Sequence, residues 1–156
     1  QGYSSAASDV YKRQEKELTP GELDMSYRHS SITEEHYMVL GVTIALEAGS
    51  QEQIRAKMEE LKEKRVEKQP LEYPSAGSTF KRPEGYFAGK LIMDAGLRGF
   101  QVGGAAVSEK HCGFVINKEK ATASDVYRLI QEVQQEVYRQ FGVKLETEVK
   151  MVGDFR

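Results

Sequence analysis

The chain has 156 residues, enough for one compact domain or for a domain with part of another. Its 22 Lys and Arg against 24 Asp and Glu give a formal net charge of -2, which excludes an overall basic field for nucleic acid or an anionic membrane. No apolar stretch approaches the roughly 20 residues of a membrane span. The single cysteine, Cys112, excludes an intrachain disulfide and favours a reducing compartment. These features predict a cytoplasmic protein without nucleic-acid or membrane partners, in which anion recognition must be local.

The first fourteen residues differ from the rest of the chain. Residues 1–14 begin without an initiator Met and show no periodic apolar pattern. The string from Ser5 to Gln14 resembles translated sequencing-adapter read-through. We therefore expect a non-native leader at 1–14, and we expect the remainder to be a carboxy-terminal piece of a longer protein.

The segment from His36 to Ala48 predicts a buried strand, because it is rich in β-branched and aliphatic residues and ends at a Gly-Ser pair. A helix should follow directly, since Ser50 and Gln53 have the spacing of a capping box. Gln69 and the proline after it end that helix. The residues that recur on one face of the helix, and that we expect to be buried, are Ile54, Met58 and Leu61.

Two prolines bracket residues 74–83, a loop with almost no helical or strand periodicity. The prolines restrict the backbone on both sides, and Gly77 permits a conformation that a β-carbon forbids. Ser78 and Lys81 supply a proton-carrying hydroxyl and a positive charge. The loop indicates anion handling or proton transfer, with an ordinary surface turn as the alternative.

Residues 86–95 predict a short helix that ends at Gly96. A turn-rich connector follows at 99–104, and short strands are predicted at 105–107 and 113–117. The buried stripe predicted for the short helix comprises Phe87, Leu91 and Ile92.

A long amphipathic helix is predicted to begin after Thr122 or Ser124 and to run to Phe141, with Gly142 ending it. Residues 144–152 then alternate apolar and charged side chains, which predicts a half-buried strand. The element order is mixed and shows no internal repeat. It favours an α+β fold with a small sheet.

Two local patterns resemble known catalytic motifs. Residues 85–90 resemble a phosphate-binding loop, but the spacing is one residue short and no Ser or Thr follows Lys90, so we reject that interpretation. Ser78 and Lys81 fit the Ser-x-x-Lys pattern of penicillin-recognising acyltransferases. This stays an alternative, although the chain contains no Lys-Thr-Gly or Ser-Asp-Asn partner.

The histidines show no metal-ligand spacing, so no metal site is predicted. They are His29, His36 and His111. We expect His36 to pack within its strand, and we expect Cys112 to be a core residue and not an activated thiolate.

Eight short segments occur in a distinctive order and spacing. They are 27–30, 68–70, 74–83, 88–92, 95–99, 103–108, 114–117 and 145–149. Together they resemble the UDP-N-acetylenolpyruvoylglucosamine reductases, the MurB flavoenzyme family of peptidoglycan synthesis. The resemblance runs from Glu17 to Gly153.

The resemblance implies a MurB-like substrate-binding C-terminal domain with a remnant of the FAD-binding domain. It divides the chain into the tail of the FAD-binding domain at 15–69, the substrate-binding domain at 70–143, and a final strand at 144–156 that returns to an amino-terminal domain. No glycine-rich flavin fingerprint precedes Arg28. The main FAD site is therefore expected outside this sequence, and the piece is expected to be inactive alone.

In the family, NADPH reduces a bound FAD, and the flavin delivers hydride to UDP-N-acetylglucosamine enolpyruvate. The resemblance implies that Ser78 protonates the neighbouring carbon and that Lys81 helps to stabilise the resulting alkoxide. Arg28 and Glu148 are implied to handle the substrate carboxylate and the enolate that forms. Arg82 stands where some relatives have Asn. The implied substrate-binding residues are Tyr27, Lys68, Lys81, Arg82, Arg98 and His111.

Two other functions stay open at this level. A nucleotide-sugar binding module without catalysis would use Ser78, Lys81 and Arg98. A serine acyltransferase would use Ser78 and Lys81. The sequence also leaves the oligomeric state open.

Overall fold

The computed structural model describes residues 3–9 and 14–155, which fall into two compact units, Gln1–Ile54 and Arg55–Arg156. The mixed elements and antiparallel sheets confirm the predicted α+β class. In chain order the elements are β1 (Tyr3–Asp9), β2 (Glu15–Leu18), α1 (Ser31–Glu34), β3 (Tyr37–Ile44), α2 (Gln51–Lys68), β4 (Ser75–Ser78), α3 (Ala88–Asp94), β5 (Gln101–Val102), β6 (Ala105–Val107), β7 (Phe114–Asn117) and α4 (Ala123–Phe141).

The first unit contains a three-stranded antiparallel sheet with the order β2-β1-β3. Strand β1 lies within the leader predicted at residues 1–14, of which 1–2 and 10–13 lie outside the described part of the chain. A strand forms there without an apolar pattern because ladder hydrogen bonds use only backbone groups. The non-native origin of the leader stays a prediction.

The strand predicted from His36 to Ala48 forms as the shorter β3, and the prediction that it is buried is wrong. Met38, Leu40 and Val42 are all more than half exposed. Helix α1 packs against β3 but is too short to cover it. The helix has four residues and a length of about 6 Å, whereas the eight-residue strand extends about 26 Å. His36 precedes the strand as an exposed residue with φ +53, so its predicted packing is also wrong.

Helix α2 begins where the Ser50 signal predicts, and the Gln53 N–H donates to Ser50 Oγ at 3.5 Å. Its predicted buried face, by contrast, is exposed, and none of the helix residues is buried. Ion pairs between residues three and four positions apart cover its surface, including Lys57 with Glu60. The residues whose predicted burial is corrected are Ile54, Met58 and Leu61.

The second unit contains a four-stranded antiparallel sheet with the order β4-β7-β6-β5. Helices α3 and α4 pack against each other, and α4 packs on β5, β6 and β7. The strands predicted at 105–107 and 113–117 are confirmed, and Cys112 is buried in the core as expected. The buried side chains of this core include Phe80, Ile92, Leu129, Ile130 and Val137.

Local signals at both ends of α4 explain its bounds. Thr122 caps the amino terminus by accepting from the Asp125 N–H, and the Asp125 side chain accepts from the Thr122 N–H. Gly142 ends the helix with φ +68, a left-handed conformation that glycine adopts without steric cost. The predicted span and its amphipathic pattern are therefore confirmed.

Helix α3 is shorter than the predicted span 86–95. Leu91 and Ile92 are buried as predicted, but Phe87 is exposed because it precedes the first helical residue.

The strand predicted at 144–152 is reduced to one isolated bridge between Phe80 and Thr147. Two backbone hydrogen bonds flank it, from Lys81 N–H to the Glu146 carbonyl at 2.8 Å and from Glu148 N–H to the Thr79 carbonyl at 2.9 Å. The ladder stops because the Thr79 N–H already donates to Gly113 O, and because Pro83 has no N–H with which to continue it.

Candidate functional site

Ser78 lies at the end of β4, opposite Phe114 of the adjacent β7. The residue before it, Gly77, has φ +85, and the strand register shifts between Ser75 and Ser78. Thr79 is buried, and its hydroxyl accepts from the Val115 N–H at 3.0 Å. The irregular strand end thus exposes Ser78 while Thr79 anchors it to the sheet.

Ser78 lines a cavity of about 400 Å³ in the second unit. The cationic or titratable nitrogen-bearing residues around it are Arg82, Lys90, Arg98, Lys110 and His111. No Asp or Glu is among the described residues that line the cavity. The apolar part of the lining comprises Phe80, Phe87, Ala88, Met93 and Cys112. A cavity with this lining favours an anionic ligand that also has an apolar part.

Neutral groups hold the two arginines. The Arg82 guanidinium carbon lies 4.0 Å from the centroid of the Phe87 ring, and its Nε donates to the Tyr86 carbonyl at 3.3 Å. The Arg98 guanidinium donates to Met93 Sδ at 3.1 Å. Neither arginine contacts a carboxylate in the described part of the chain, so both keep their full charge for a ligand.

The two lysines of the cavity already have protein partners. Lys90 forms an ion pair with Asp94, one helical turn away on α3. Lys110 Nζ donates to the Val66 carbonyl at 2.7 Å, near the end of α2, and lies 3.7 Å from Glu72 Oε2. Their charges are partly compensated, which leaves the arginines as the stronger anion-binding groups.

His111 is positioned by two glycines. A β-carbon at Gly89 or Gly113 would lie 3.3 or 2.9 Å from His111 Cε1, so glycine at both positions makes room for the ring. The Gly113 N–H donates to His111 Nδ1 at 3.1 Å, which places the hydrogen of the neutral ring on Nε2. The imidazole can therefore donate a hydrogen bond in the cavity.

Glu148 is brought close to the Ser78 segment by backbone contact. Its N–H donates to the carbonyl of Thr79, the residue after Ser78, and its Oε2 atom is buried. Glu148 is not among the residues that line the cavity. The structure thus joins the two segments that carry these predicted catalytic residues, which are separated by most of the second unit in sequence.

Lys81 contacts Glu146, and not Ser78, whose alkoxide the resemblance implied it would stabilise. Its Nζ donates to Glu146 Oε2 at 3.0 Å, and it is not a cavity residue. No hydrogen bond joins it to Ser78 among the described contacts. The acyltransferase alternative, which needs Lys81 to activate Ser78, therefore has no contact to support it, and the substrate contact of Lys81 stays a prediction.

Tyr27 and Arg28 form the tip of a tight hairpin in the first unit. Ser26 and His29 close it with two backbone hydrogen bonds, of 3.2 and 3.3 Å, and Arg28 has φ +60. Both tip residues are exposed, and the Arg28 guanidinium carbon lies 5.6 Å from the centroid of the Tyr27 ring. Lys68, the last residue of α2, is also exposed. Substrate contacts for these three residues stay predictions.

Sequence reasoning missed several cavity residues. Lys90 belongs to one of the family-like segments but is not among the predicted site residues. Met93 lies three residues after it on α3, so helical periodicity could have placed both at one surface. No local sequence pattern predicts that Gly89 and Gly113 both lie against His111, because the fold brings the two glycines together.

The described residues do not fit FAD as a resident group. The cavity beside Ser78 measures about 400 Å³, and two others in the second unit measure about 320 and 330 Å³, at the small end of ligand pockets. The amino terminus of the long helix α4 is occupied by its own cap and not by a glycine-rich phosphate loop.

Within 3–9 and 14–155, no group of three His, Cys, Asp or Glu side chains is arranged to hold a metal ion. None of the helices described there has the length and apolar character that crossing a bilayer requires.

The geometry defines a small α+β domain in which a serine at the end of a strand lines a cationic cavity. Residues 69–152 match the family model described as UDP-N-acetylenolpyruvoylglucosamine reductase, C-terminal domain. The chain therefore belongs to the UDP-N-acetylenolpyruvoylglucosamine reductase family and contains its C-terminal domain.

Individual relatives agree with the family match. The UDP-N-acetylenolpyruvoylglucosamine reductase of Agathobacter rectalis is 65% identical over 140 residues, which cover 90% of this chain and 45% of the relative. That of Lachnoclostridium phytofermentans is 63% identical over 137 residues, covering 88% and 44%. The crystal structure of the Thermus caldophilus reductase (MurB) matches with a TM-score of 0.79 and 33% identity, covering 94% of this chain and 51% of that one. The chain thus spans about half the length of the relatives that it matches.

Proposed function

We propose that this chain is the substrate-binding part of an enzyme that reduces UDP-N-acetylglucosamine enolpyruvate to UDP-N-acetylmuramate in peptidoglycan synthesis. Family membership supports the reaction, and the main structural support for substrate binding is the cationic cavity beside Ser78. The substrate has a diphosphate and a carboxylate, and both anions suit this lining. We place the reaction in the cytoplasm, in line with the composition.

Ser78 is the proposed proton donor. FAD held outside the described residues, with NADPH as the electron donor, would supply the hydride to one carbon of the enolpyruvyl double bond. Ser78 gives its hydroxyl proton to the other carbon and is reprotonated from solvent. Because a free hydroxyl is a poor acid near neutral pH, the transient alkoxide needs nearby positive charge, and Arg82 and Arg98 line the same cavity.

The remaining predicted residues are assigned to substrate recognition and charge stabilisation. Arg82, Arg98 and His111 are proposed to bind the diphosphate, because each offers N–H donors in the cavity. Arg28 and Glu148 are proposed to act on the carboxylate and the enolate. Tyr27 and Lys68 are further proposed substrate contacts.

A chimera tests the proposal with this chain in a complete enzyme. Residues 15–156 replace the matching part of the Agathobacter rectalis relative, and NADPH oxidation is measured with the enolpyruvyl nucleotide. We expect Ser78→Ala to lower kcat by at least about 100-fold, since general acids contribute factors of this order. Ser75→Ala, on the same strand but lining a different cavity, is the matched control and should keep its rate.

Nucleotide binding distinguishes this proposal from the binding-module alternative. Isothermal titration of the Ser78→Ala chimera with the enolpyruvyl nucleotide should give an affinity within about threefold of the parent chimera, because only the proton donor is removed. An inactive but nucleotide-binding parent chimera would favour a binding module, and an unchanged rate in Ser78→Ala would contradict the assigned role.

A further inference from the structure

Lys81 and Glu146 connect two segments that lie 65 residues apart in sequence. The Lys81 ammonium donates to Glu146 Oε2 at 3.0 Å, and the Lys81 backbone N–H donates to the Glu146 carbonyl at 2.8 Å. The same two residues are therefore joined through both side chain and backbone.

This double contact lies next to the residues proposed for chemistry. Phe80 and Thr147 form the bridge between the two segments, and the Glu148 N–H donates to the Thr79 carbonyl at 2.9 Å. Ser78 directly precedes Thr79. The position of Ser78 relative to Glu148 is consequently set at this junction.

The junction has little backbone pairing to fix its register. The ladder cannot extend beyond its two hydrogen bonds, because the Thr79 N–H is used by Gly113 and Pro83 has no N–H. A slip of one residue in such a pairing turns every side chain to the other face. A charged pair that spans the junction therefore adds a constraint that the backbone lacks.

We infer that Lys81 and Glu146 are positioning residues that hold the Ser78 segment in register with the Glu148 segment. The inference rests on the proposed function. In this role Lys81 acts through the backbone of the junction and does not touch the reacting atoms. In this role the two positions need opposite charges, but either position can carry the positive charge. Exchanging the two charges therefore tests the inference.

Charge reversal and charge exchange are compared in the chimera. Lys81→Glu and Glu146→Lys each place like charges together, and we expect each to lower kcat about 10-fold to 100-fold, the scale of a small misplacement of reacting groups. KM for the nucleotide should change less than threefold. The double variant restores an opposite-charge pair and should recover at least half of the parent kcat.

A second readout needs neither flavin nor substrate. Hydrogen exchange of the Glu148 amide is measured by NMR in this chain, with the Ser108 amide, which donates to Phe114 O at 2.9 Å, as the internal reference. Each single reversal should accelerate exchange at Glu148 relative to Ser108, and the double variant should restore it. This separates a loosened junction from general unfolding, which would accelerate both amides.

A matched control uses the exposed pair Lys62 and Glu59 on α2, whose charged atoms are 3.3 Å apart. Reversal of either residue should leave kcat and Glu148 exchange unchanged. With an active parent chimera, a Lys81→Glu/Glu146→Lys variant that stays as slow as the single variants would show that the inference is wrong. A single variant in which KM rises while kcat is unchanged would also contradict it, because Lys81 would then contact substrate. An inactive parent chimera contradicts the proposed function instead, whereas Glu148 exchange that does not respond to reversal contradicts the positioning role by itself.

Discussion

At the scale of single residues, the site depends on which charges the protein leaves uncompensated. Lys81, Lys90 and Lys110 each have an acidic neighbour within 4.0 Å, whereas Arg82 and Arg98 are held by an aromatic ring, a carbonyl and a thioether. Planar guanidinium groups suit diphosphate and carboxylate geometry, so their availability matters more than the number of cations.

A carboxylate that does not line the cavity, Asp125, makes stability depend on pH. Hydrogen bonds from the Thr122 backbone N–H and side chain, followed by the Gly104 N–H and Arg128, lower the pKa of Asp125 below its ordinary value of 3.8. A lowered pKa in the folded state contributes stability above the ordinary value, and this contribution is lost as pH falls through the lowered value.

We therefore expect Asp125→Asn to reduce the urea midpoint at pH 7, and we expect the difference from the parent to shrink as pH falls below 3.8. Urea unfolding monitored by circular dichroism from pH 7 to pH 2 tests this. Glu132→Gln, at an exposed position on the same helix, should show no such trend. A constant difference across the whole range would mean that the carboxylate charge is not responsible.

The residues that sequence analysis could identify are those with local or motif-level signals. Ser78 stood out because prolines and a glycine surround it, and Thr122 and Gly142 bound α4 through the chemistry of adjacent residues. Glu146 as the partner of Lys81 could not be predicted from local patterns, because the contact joins segments 65 residues apart. The same holds for the glycines that surround His111.

At the scale of elements, a comparison of the two long helices, α2 and α4, shows that helix propensity and burial are independent. Both have strong helix formers, but α4 buries a stripe of side chains whereas no residue of α2 is buried. The apolar residues of β3 are similarly exposed in this chain. Local sequence therefore predicted where these elements form, but burial depends on what packs against them, which periodicity does not reveal.

The same substitution on the two helices measures this difference. Leu129 on α4 is 0% exposed, whereas Leu61 on α2 is 55% exposed. We expect Leu129→Ala to lower the free energy of unfolding by about 2 to 5 kcal/mol, because it removes apolar contacts and leaves a cavity. Leu61→Ala should change it by less than about 0.5 kcal/mol. Urea unfolding followed by circular dichroism provides the comparison, and equal effects would contradict the difference in packing.

At the scale of the whole molecule, the chain carries the substrate side of the proposed reaction more completely than the redox side. The cavity, Ser78 and the Glu148 junction all lie in the second unit, which contains the whole span matched by the family model. The described cavities are small for FAD, and the chain spans about half the length of its relatives. Binding of the nucleotide and reduction of it should therefore be separable.

The isolated chain and the chimera should consequently both bind the nucleotide, but only the chimera should reduce it at a substantial rate. We expect the isolated chain to bind the enolpyruvyl nucleotide, measured by isothermal titration, and to retain no FAD after gel filtration, measured by absorbance at 450 nm. With added FAD, its NADPH oxidation should fall at least about 1000-fold below that of the chimera, since a hydride donor that is not held near the substrate loses most of the advantage of proximity. Arg98→Met should weaken nucleotide binding in both proteins, because the cavity is the same in each. Turnover by the isolated chain near that of the chimera would show that these residues suffice to hold the flavin, and would overturn the division of the reaction between the two parts of the enzyme.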